Sequence, residues 1–320
     1  MIIALAGGVG GAKLARGLAD ILGPQELLVA VNVGDDFEHL GLHISPDIDT
    51  VMYTLAGRNN IQTGWGIAGE TWNFMAALEQ LGGETWFRLG DQDIATHIER
   101  TRRLKAGEGL AAVTASLCAA LGVKHAVVPV SEDLVRTFVD TDAGLLPFQD
   151  YFVRCKSEPS VVALNYEGAR GARPSSALLS AFDDAKLQGI IICPSNPYLS
   201  IGPMLEIPGV ADKLKRRRTP CVAVSPIVGG MALKGPAAKM MGELGVEPSA
   251  FEVAKLYLGL IDGFVIDVVD EKLAPGVAAL GIQPYVTPTI MHGRDEQKHL
   301  AAGVLRFAQT LTADTSSVKT

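Results

Sequence analysis

Apolar positions along this chain fall into short unbroken runs separated by stretches of helical period. "IIALAGG" at residues 2–8 is an apolar strand that ends in glycine. "AKLARGLADILG" follows, with Leu14, Leu18, Ile21 and Leu22 at i, i+4, i+7 and i+8, one helix face closed by Gly23. "ELLVAVNV" is the next strand. Strands that are apolar without alternation, linked by helices, predict a parallel sheet covered on both faces. Between residues 50 and 122 the pattern is helical: "TVMYTLAG", "ETWNFMAALEQLGG", "IATHIERTRRL" and "LAAVTASLCAALGV". Alternation resumes with "HAVVPV", "RTFVDT", a helix-like "LPFQDYFVR", "SVVALNY" and "SSALLSAFDDA". It continues through "GIIICPSN", "TPCVAVSPIVGG", "PAAKMMGELG", "GFVIDVV" and "QPYVTP" to a last helix, "RDEQKHLAAGVLRFAQTL". The predicted architecture is a doubly wound, mostly parallel, Rossmann-like α/β core, residues 1–50 with 123–310. Residues 51–122 form a mainly helical insertion, and 311–320 form a polar tail.

With 320 residues, 48% hydrophobic and 20% charged, the chain has a globular composition. Its net charge of -7 argues against non-specific binding of nucleic acid or anionic membranes. No apolar run reaches the roughly 18 residues of a membrane helix. The start "MIIALAGGVGG" lacks a basic leader, so a cytoplasmic location is expected. Cys118, Cys155, Cys193 and Cys221 have no metal-site spacing and read as reduced thiols.

Carboxylates are concentrated just past the second strand. "NVGDDFEHLGLHISPDIDT" holds Asp35, Asp36, Glu38, Asp47 and Asp49, with His39 and His43. In an open α/β sheet, ligands gather at the carboxyl ends of strands. Acids there suit a hard cation such as Mg²⁺, or a base for a hydroxyl nucleophile. Helix capping by Ser45 or Asp47 accounts for one acid, not five. The histidines read as structural or solvated rather than as metal ligands.

Other loops carry anion chemistry. In "GGVGGAKL", Gly7, Gly8, Val9, Gly10 and Gly11 precede a helix N-terminus, and Lys13 follows, which suits a diphosphate. The loop is neither G-x-G-x-x-G nor a Walker A motif, so a tight strand–helix turn competes with that reading. Arg88 and Asp91 in "ETWFRLGDQD" could form a salt bridge, or Arg88 could meet a phosphate or ring. Ser195 and Asn196 in "CPSNP" could contact a phosphate and a base edge, against plain turn chemistry. Gly229, Gly230 and Lys234 in "SPIVGGMALKGPAA" offer a second anion contact. Trp65 and Trp72 could pack in a core or wall a flat ligand. The run "KLKRRRT" reads as a solvated helix end.

Taken in order, "GGVGGAKL", "NVGDDFEHLGLHISPDIDTVMYTLAG", "WGIAGETW", "FRLGDQD", "LPFQDYFVR", "CPSNP" and "SPIVGGMALKGPAA" resemble the CofD/FbiA family, the 2-phospho-L-lactate transferases of coenzyme F420 biosynthesis. The resemblance runs from residue 1 to at least 240. It implies transfer of a phospholactyl, phosphoenolpyruvyl or phosphoglyceryl group from a guanosine-diphosphate-activated donor to the ribityl hydroxyl of the deazaflavin Fo. GMP would be released, Mg²⁺ needed and a homodimer formed. It further implies that Asp49 and Arg88 contact Fo, beside Trp65 or Trp72, with the helical insertion forming part of the acceptor site. On this reading Asp35, Asp36 and Asp49 surround metal and hydroxyl, and Asp49 orients or deprotonates. The 7–11 loop, Ser195, Asn196 and the 229–235 loop would hold the guanosine diphosphate part. CofD-like nucleotide-sugar-binding regulatory factors share the first loop, and a dinucleotide oxidoreductase would need G-x-G-x-x-G. The acidic stretch with Arg88 favours the transferases.

Overall fold

A computed structural model describes residues 1–317, with side-chain surroundings through residue 311; the expected polar tail continues the last helix to Ser317, and its residues 318–320 lie outside the described residues. Four strands precede residue 122: β1 (Ile2–Ala6), β2 (Leu27–Val31), β3 (Phe37–His39) and β4 (Leu42–Ile44). Then come β5 (Ala126–Pro129), β6 (Arg136–Thr141), β7 (Gly144–Pro147), β8 (Val161–Glu167) and β9 (Gly189–Ile192). The last five are β10 (Cys221–Val224), β11 (Ile227–Val228), β12 (Met231–Ala232), β13 (Gly263–Ile266) and β14 (Gln283–Val286).

Seven of these form the parallel sheet that the apolar runs predicted, in the order β14-β13-β10-β9-β1-β2-β5. Every residue of β1, β2, β9, β10 and β13 is buried, as expected of strands covered on both faces. Ile2 pairs with both Leu27 and Gly189, so β1 has β2 on one side and β9 on the other. The strand order therefore reverses at β1/β9. The crevice beyond the carboxyl ends of these two strands is where such folds bind ligands. Helix α1 (Gly8–Ile21) leaves β1 at this point. It crosses the C-terminal helix Arg294–Ser317 at Gly17, where an added Cβ would lie 2.1 Å from the Gln297 carbonyl oxygen.

The helical stretch after β2 holds α2 (Pro46–Ala56), α3 (Asn73–Gln80), α4 (Asp91–Lys105) and α5 (Leu110–Ala120). One expectation is corrected. "RTFVDT" and "SVVALNY" do not extend the main sheet. As β6 and β8, with β7, they form a separate antiparallel sheet, because each faces water on one side. "LPFQDYFVR" is not a full helix. Its first two residues end β7, and its last five, Asp150–Arg154, form a single π-turn followed by left-handed backbone at Lys156 and Ser157. The acidic stretch also folds into a β3/β4 hairpin that its sequence did not advertise. Cys118, Cys193 and Cys221 are buried free thiols, and burial pushes Cys118 and Cys221 up to about 12.

Candidate active site

The glycine loop and the 193–200 loop meet at the strand-order reversal, and their contact explains the glycines. An added Cβ at Gly10 would lie 2.1 Å from the Pro194 carbonyl oxygen, and one at Gly11 2.5 Å from Ser195 Oγ. At Gly7 it would lie 2.4 Å from Asp47 Oδ2. The first amides of α1 are already engaged: Gly7 N–H donates to Ser195 Oγ at 3.1 Å, and Gly8 N–H to Asp47 Oδ1 at 2.6 Å. An acid from the first turn of α2 thus occupies the helix N-terminus, which favours negative charge.

Asn32, at the end of β2, organises that corner, and sequence reasoning passed over it. Its fully buried amide Nδ2 donates to Asp35 Oδ1 and Asp47 Oδ2, both at 3.0 Å, and to the Leu199 carbonyl at 3.2 Å. Its Oδ1 accepts the Gly34 N–H at 2.8 Å. Burial, then repulsion from Asp47, raises Asp35 well above the usual carboxylate range. Burial also raises Asp47, to about 6, against hydrogen bonds from Asn32 and Gly8 that lower it. Asp36 accepts from Ser45 Oγ at 2.8 Å and meets His43 Nε2 at 3.2 Å, while its Oδ1 is buried without a hydrogen-bond partner. Neither Ser45 nor Asp47 caps its own helix, so the capping explanation fails for these acids.

Asp49 is placed differently from Asp35 and Asp36. Arg100 of α4, fully buried, grips both its carboxylate oxygens, one at 3.0 Å. His97 stands 3.7 Å from Asp49 and 3.3 Å from Asp93, whose Oδ1 accepts the Tyr53 hydroxyl at 2.7 Å. Asp93, His97 and Arg100 share one face of α4, at i, i+4 and i+7. That polar stripe was the signal available for Arg100. The four other acids of the stretch divide as follows: Asp35 and Asp47 sit together on Asn32, Asp36 is beside Ser45 and His43, and Glu38 is exposed. His39 is buried against Phe37, Trp86 and Phe87, a structural role.

Two recesses flank this corner. An open cleft of about 80 Å³ is lined by Val9, Gly10, Lys13, Asn196, Ser225 and Lys234, among others. Lys13 Nζ donates to the Met291 carbonyl at 2.7 Å, and burial followed by the charge of Lys234 lowers its pKa. Asn196 Oδ1 caps the π-turn Pro197–Ile201 through Tyr198 and Leu199 N–H groups, so turn chemistry uses that atom. Gly229 and Gly230 have φ of 57° and 76°, the left-handed pair of a tight β11–β12 hairpin turn, and they do not line the cleft. Lys234, four residues on, does.

The second recess, a small one of about 20 Å³, is lined by Trp65, Trp72, Glu70 and Asp93, so the two predicted tryptophans do share a wall. Arg88 stacks over Trp72 at 4.2 Å from the ring centroid. Asp91 is not its ion partner. It accepts N–H bonds from Asn73 and Phe74 at the start of α3, and hydrogen bonds from Thr71 and this first turn hold its carboxyl down near 2. The loop 60–66 joins the recesses: Lys234 Nζ donates to the Thr63 carbonyl at 3.0 Å, and Trp65 faces the other side.

Among the described residues, no three or more His, Cys, Asp or Glu side chains are arranged to hold a metal ion, and no helix is long and apolar enough to cross a membrane. That arrangement does not exclude Mg²⁺, which keeps several waters and binds through one or two carboxylates plus phosphate oxygens. The buried, unpartnered Asp36 Oδ1 and the mutually repelling Asp35 and Asp47 are the donors that fit it.

Fold and site together define a doubly wound α/β protein with a polar crevice at the strand-order reversal. A member of the UPF0052 family from Bacillus halodurans shares this fold, with a TM-score of 0.61 and 16% identity over 95% of this chain and 98% of that one. Residues 2–284 match the family model described as 2-phospho-L-lactate transferase CofD, and the chain belongs to that family. A phosphoenolpyruvate transferase of Kitasatospora aureofaciens is 39% identical over 96% of this chain and 98% of its own length. A 2-phospho-L-lactate transferase of Methanosarcina mazei is 37% identical over 95% and 99%.

Proposed function

We propose that this protein transfers a phosphorylated three-carbon acid from a guanosine-diphosphate-activated donor to the ribityl hydroxyl of the deazaflavin Fo. The acceptor oxygen forms a bond to the phosphorus that carries the acid. The bond from that phosphorus to the bridging oxygen breaks, and GMP leaves with the electron pair. Such transfer depends on positioning and charge neutralisation more than on a covalent intermediate. The observation that supports this reading is the pair of neighbouring recesses, one lined by two lysines and glycine backbone, the other by two tryptophans of which Trp72 carries Arg88 stacked on its ring, with Lys234 of the first bonded to the 60–66 loop that lines the second.

In this reading the donor diphosphate lies along Val9 and Gly10 with Lys13 and Lys234. Asn196 Nδ2, Ser225 and Thr289 face the nucleoside part. Fo stacks between Trp65 and Trp72, and Arg88 leaves its stacked position or extends it to hold the ring. Asp35 and Asp36, with phosphate oxygens and water, would hold Mg²⁺, which supplies charge neutralisation to the phosphates when bound. Asp47, raised by burial to about 6, takes the hydroxyl proton. Asp49, gripped by Arg100, positions α2 against α4 and keeps the acceptor wall in place. The enzyme works in the cytoplasm as a homodimer.

The test is Fo binding, read by its fluorescence, with and without GDP and Mg²⁺, followed by GMP release from phospholactyl, phosphoenolpyruvyl and phosphoglyceryl donors. Saturable Fo binding with GMP release from one donor supports the reading. No Fo binding under any condition overturns it.

A further inference from the structure

We infer that Asn32 is a positioning residue for this transfer: its side-chain amide holds Asp35 and Asp47 together and ties the pair to the glycine loop. The inference rests on the acidic corner being the reaction centre. The argument starts from the count of hydrogens. The Nδ2 group has two N–H bonds and faces three acceptors, Asp35 Oδ1, Asp47 Oδ2 and the Leu199 carbonyl, at 3.0, 3.0 and 3.2 Å. Its Oδ1 must be the acceptor at the other end, because the Gly34 backbone, 2.8 Å away, can only donate. The amide is therefore locked in one orientation, with its donors aimed at two carboxylates that have no other reason to approach each other.

Three segments depend on that lock. Asp35 belongs to the loop after β2, Asp47 to the first turn of α2, and Leu199 to the π-turn after β9. Through Asp47 Oδ1 and the Gly8 N–H, the chain of contacts reaches the start of α1. Asparagine is suited to the position. Aspartate would add a third negative charge and lose both donors, and leucine would take the amide donors from both carboxylates and leave the Gly34 N–H without its acceptor in a fully buried place. An amide needed only to end β2 would be satisfied by backbone. Here its donors go mainly to the acids.

The test uses the full chain with Asn32→Ser and Asn32→Asp; the second keeps the side-chain shape and the acceptor for Gly34. Mn²⁺ affinity, read by the electron paramagnetic resonance of free Mn²⁺ without substrate, and the steady-state constants with Fo and donor are measured for each. Loss of an outer partner of metal-binding carboxylates typically costs about 10–100-fold in metal affinity or activity. The expected result is a fall of that size in kcat for both variants, a matching loss of Mn²⁺ affinity in Asn32→Ser, and a KM for Fo within about twofold of wild type. The double variant Asn32→Ser/Asp47→Asn should lose no more kcat than the worse single one, since one acts through the other. Wild-type kcat and Mn²⁺ affinity in whichever variant folds, or fully additive losses, overturns the inference. Wild-type protein that binds Mn²⁺ but transfers nothing to Fo overturns the proposed function instead, and leaves the metal-affinity comparison to decide the role of Asn32.

Discussion

Replacing Asp49 by Asn should destabilise the protein strongly, and the size of the effect follows from its partner. Arg100 is fully buried, Asp49 has 7% of its side chain exposed, and the guanidinium contacts both carboxylate oxygens. Asparagine keeps the shape but turns one acceptor into a donor facing another donor, and leaves the guanidinium charge uncompensated. Breaking a buried ion pair at one end costs about 3–5 kcal/mol. An unfolding entropy of about 2.1 cal/mol/K per residue over 320 residues converts this to a fall in melting temperature of about 4–7 °C. The assay is a reversible thermal or urea melt of Asp49→Asn against wild type. Asp49→Leu with Arg100→Met, which removes both charges, should recover most of the loss. A melting temperature of Asp49→Asn within about 1 °C of wild type would refute the reasoning. A fall in kcat without loss of stability would then return Asp49 to the reacting atoms.

Gly10→Ala should abolish donor binding or lower stability, since its Cβ would lie 2.1 Å from a backbone oxygen that cannot swing away; isothermal titration with GDP on soluble variant checks this, and wild-type affinity refutes it. Asp47 sets a pH dependence. Its folded pKa of about 6 lies above the ordinary 3.8, so the native state holds the proton more tightly than the unfolded chain. Native stability without metal should fall as pH rises from about 4 to about 6 and level off above. Asp47→Asn should flatten that slope in urea melts between pH 4 and 7, and an unchanged slope would show that Asp47 does not titrate there.

The central sheet was legible because strands buried on both faces read as unbroken apolar runs, from "IIALA" to "GFVI". The β6–β8 sheet was misplaced because its strands alternate and face water, which the apolar-run criterion reads only as further strands. Within the site, loops at the carboxyl ends of β1, β2 and β9 were found from glycines, acids and their order along the chain. Asn32 and Arg100 were not. One sits beside an apolar strand where a lone polar residue carries no period. The other lies in "HIERTRR", where a charged helix looks solvated unless the i, i+4, i+7 stripe of Asp93, His97 and Arg100 is read as a buried face. The division of labour among the aspartates depends on which partners three separate segments bring to them, and spacing along one segment does not specify that.

On the proposed reading, where the donor would enter follows from what already fills the start of α1. Asp47 and Ser195 take the Gly8 and Gly7 amides, so a diphosphate must approach from the side of Val9 and Gly10, where Lys13 and Lys234 stand. Lys234 holds the Gln62 and Thr63 carbonyls at 3.4 and 3.0 Å, and an added Cβ at Gly64 would lie 3.2 Å from Val9 and 2.8 Å from Lys234 Nζ. A phosphate that draws Lys234 away also frees the loop that carries Trp65 to the acceptor recess. Lys234→Ala should therefore raise the KM for Fo as well as for the donor. A lost charge-assisted contact of about 1.5–3 kcal/mol corresponds to about 10–150-fold for the donor. The effect on Fo should be smaller, several-fold, because only the loop's restraint is removed. Steady-state kinetics with each substrate varied in turn separates the two. A rise confined to the donor would show that the loop does not couple the recesses.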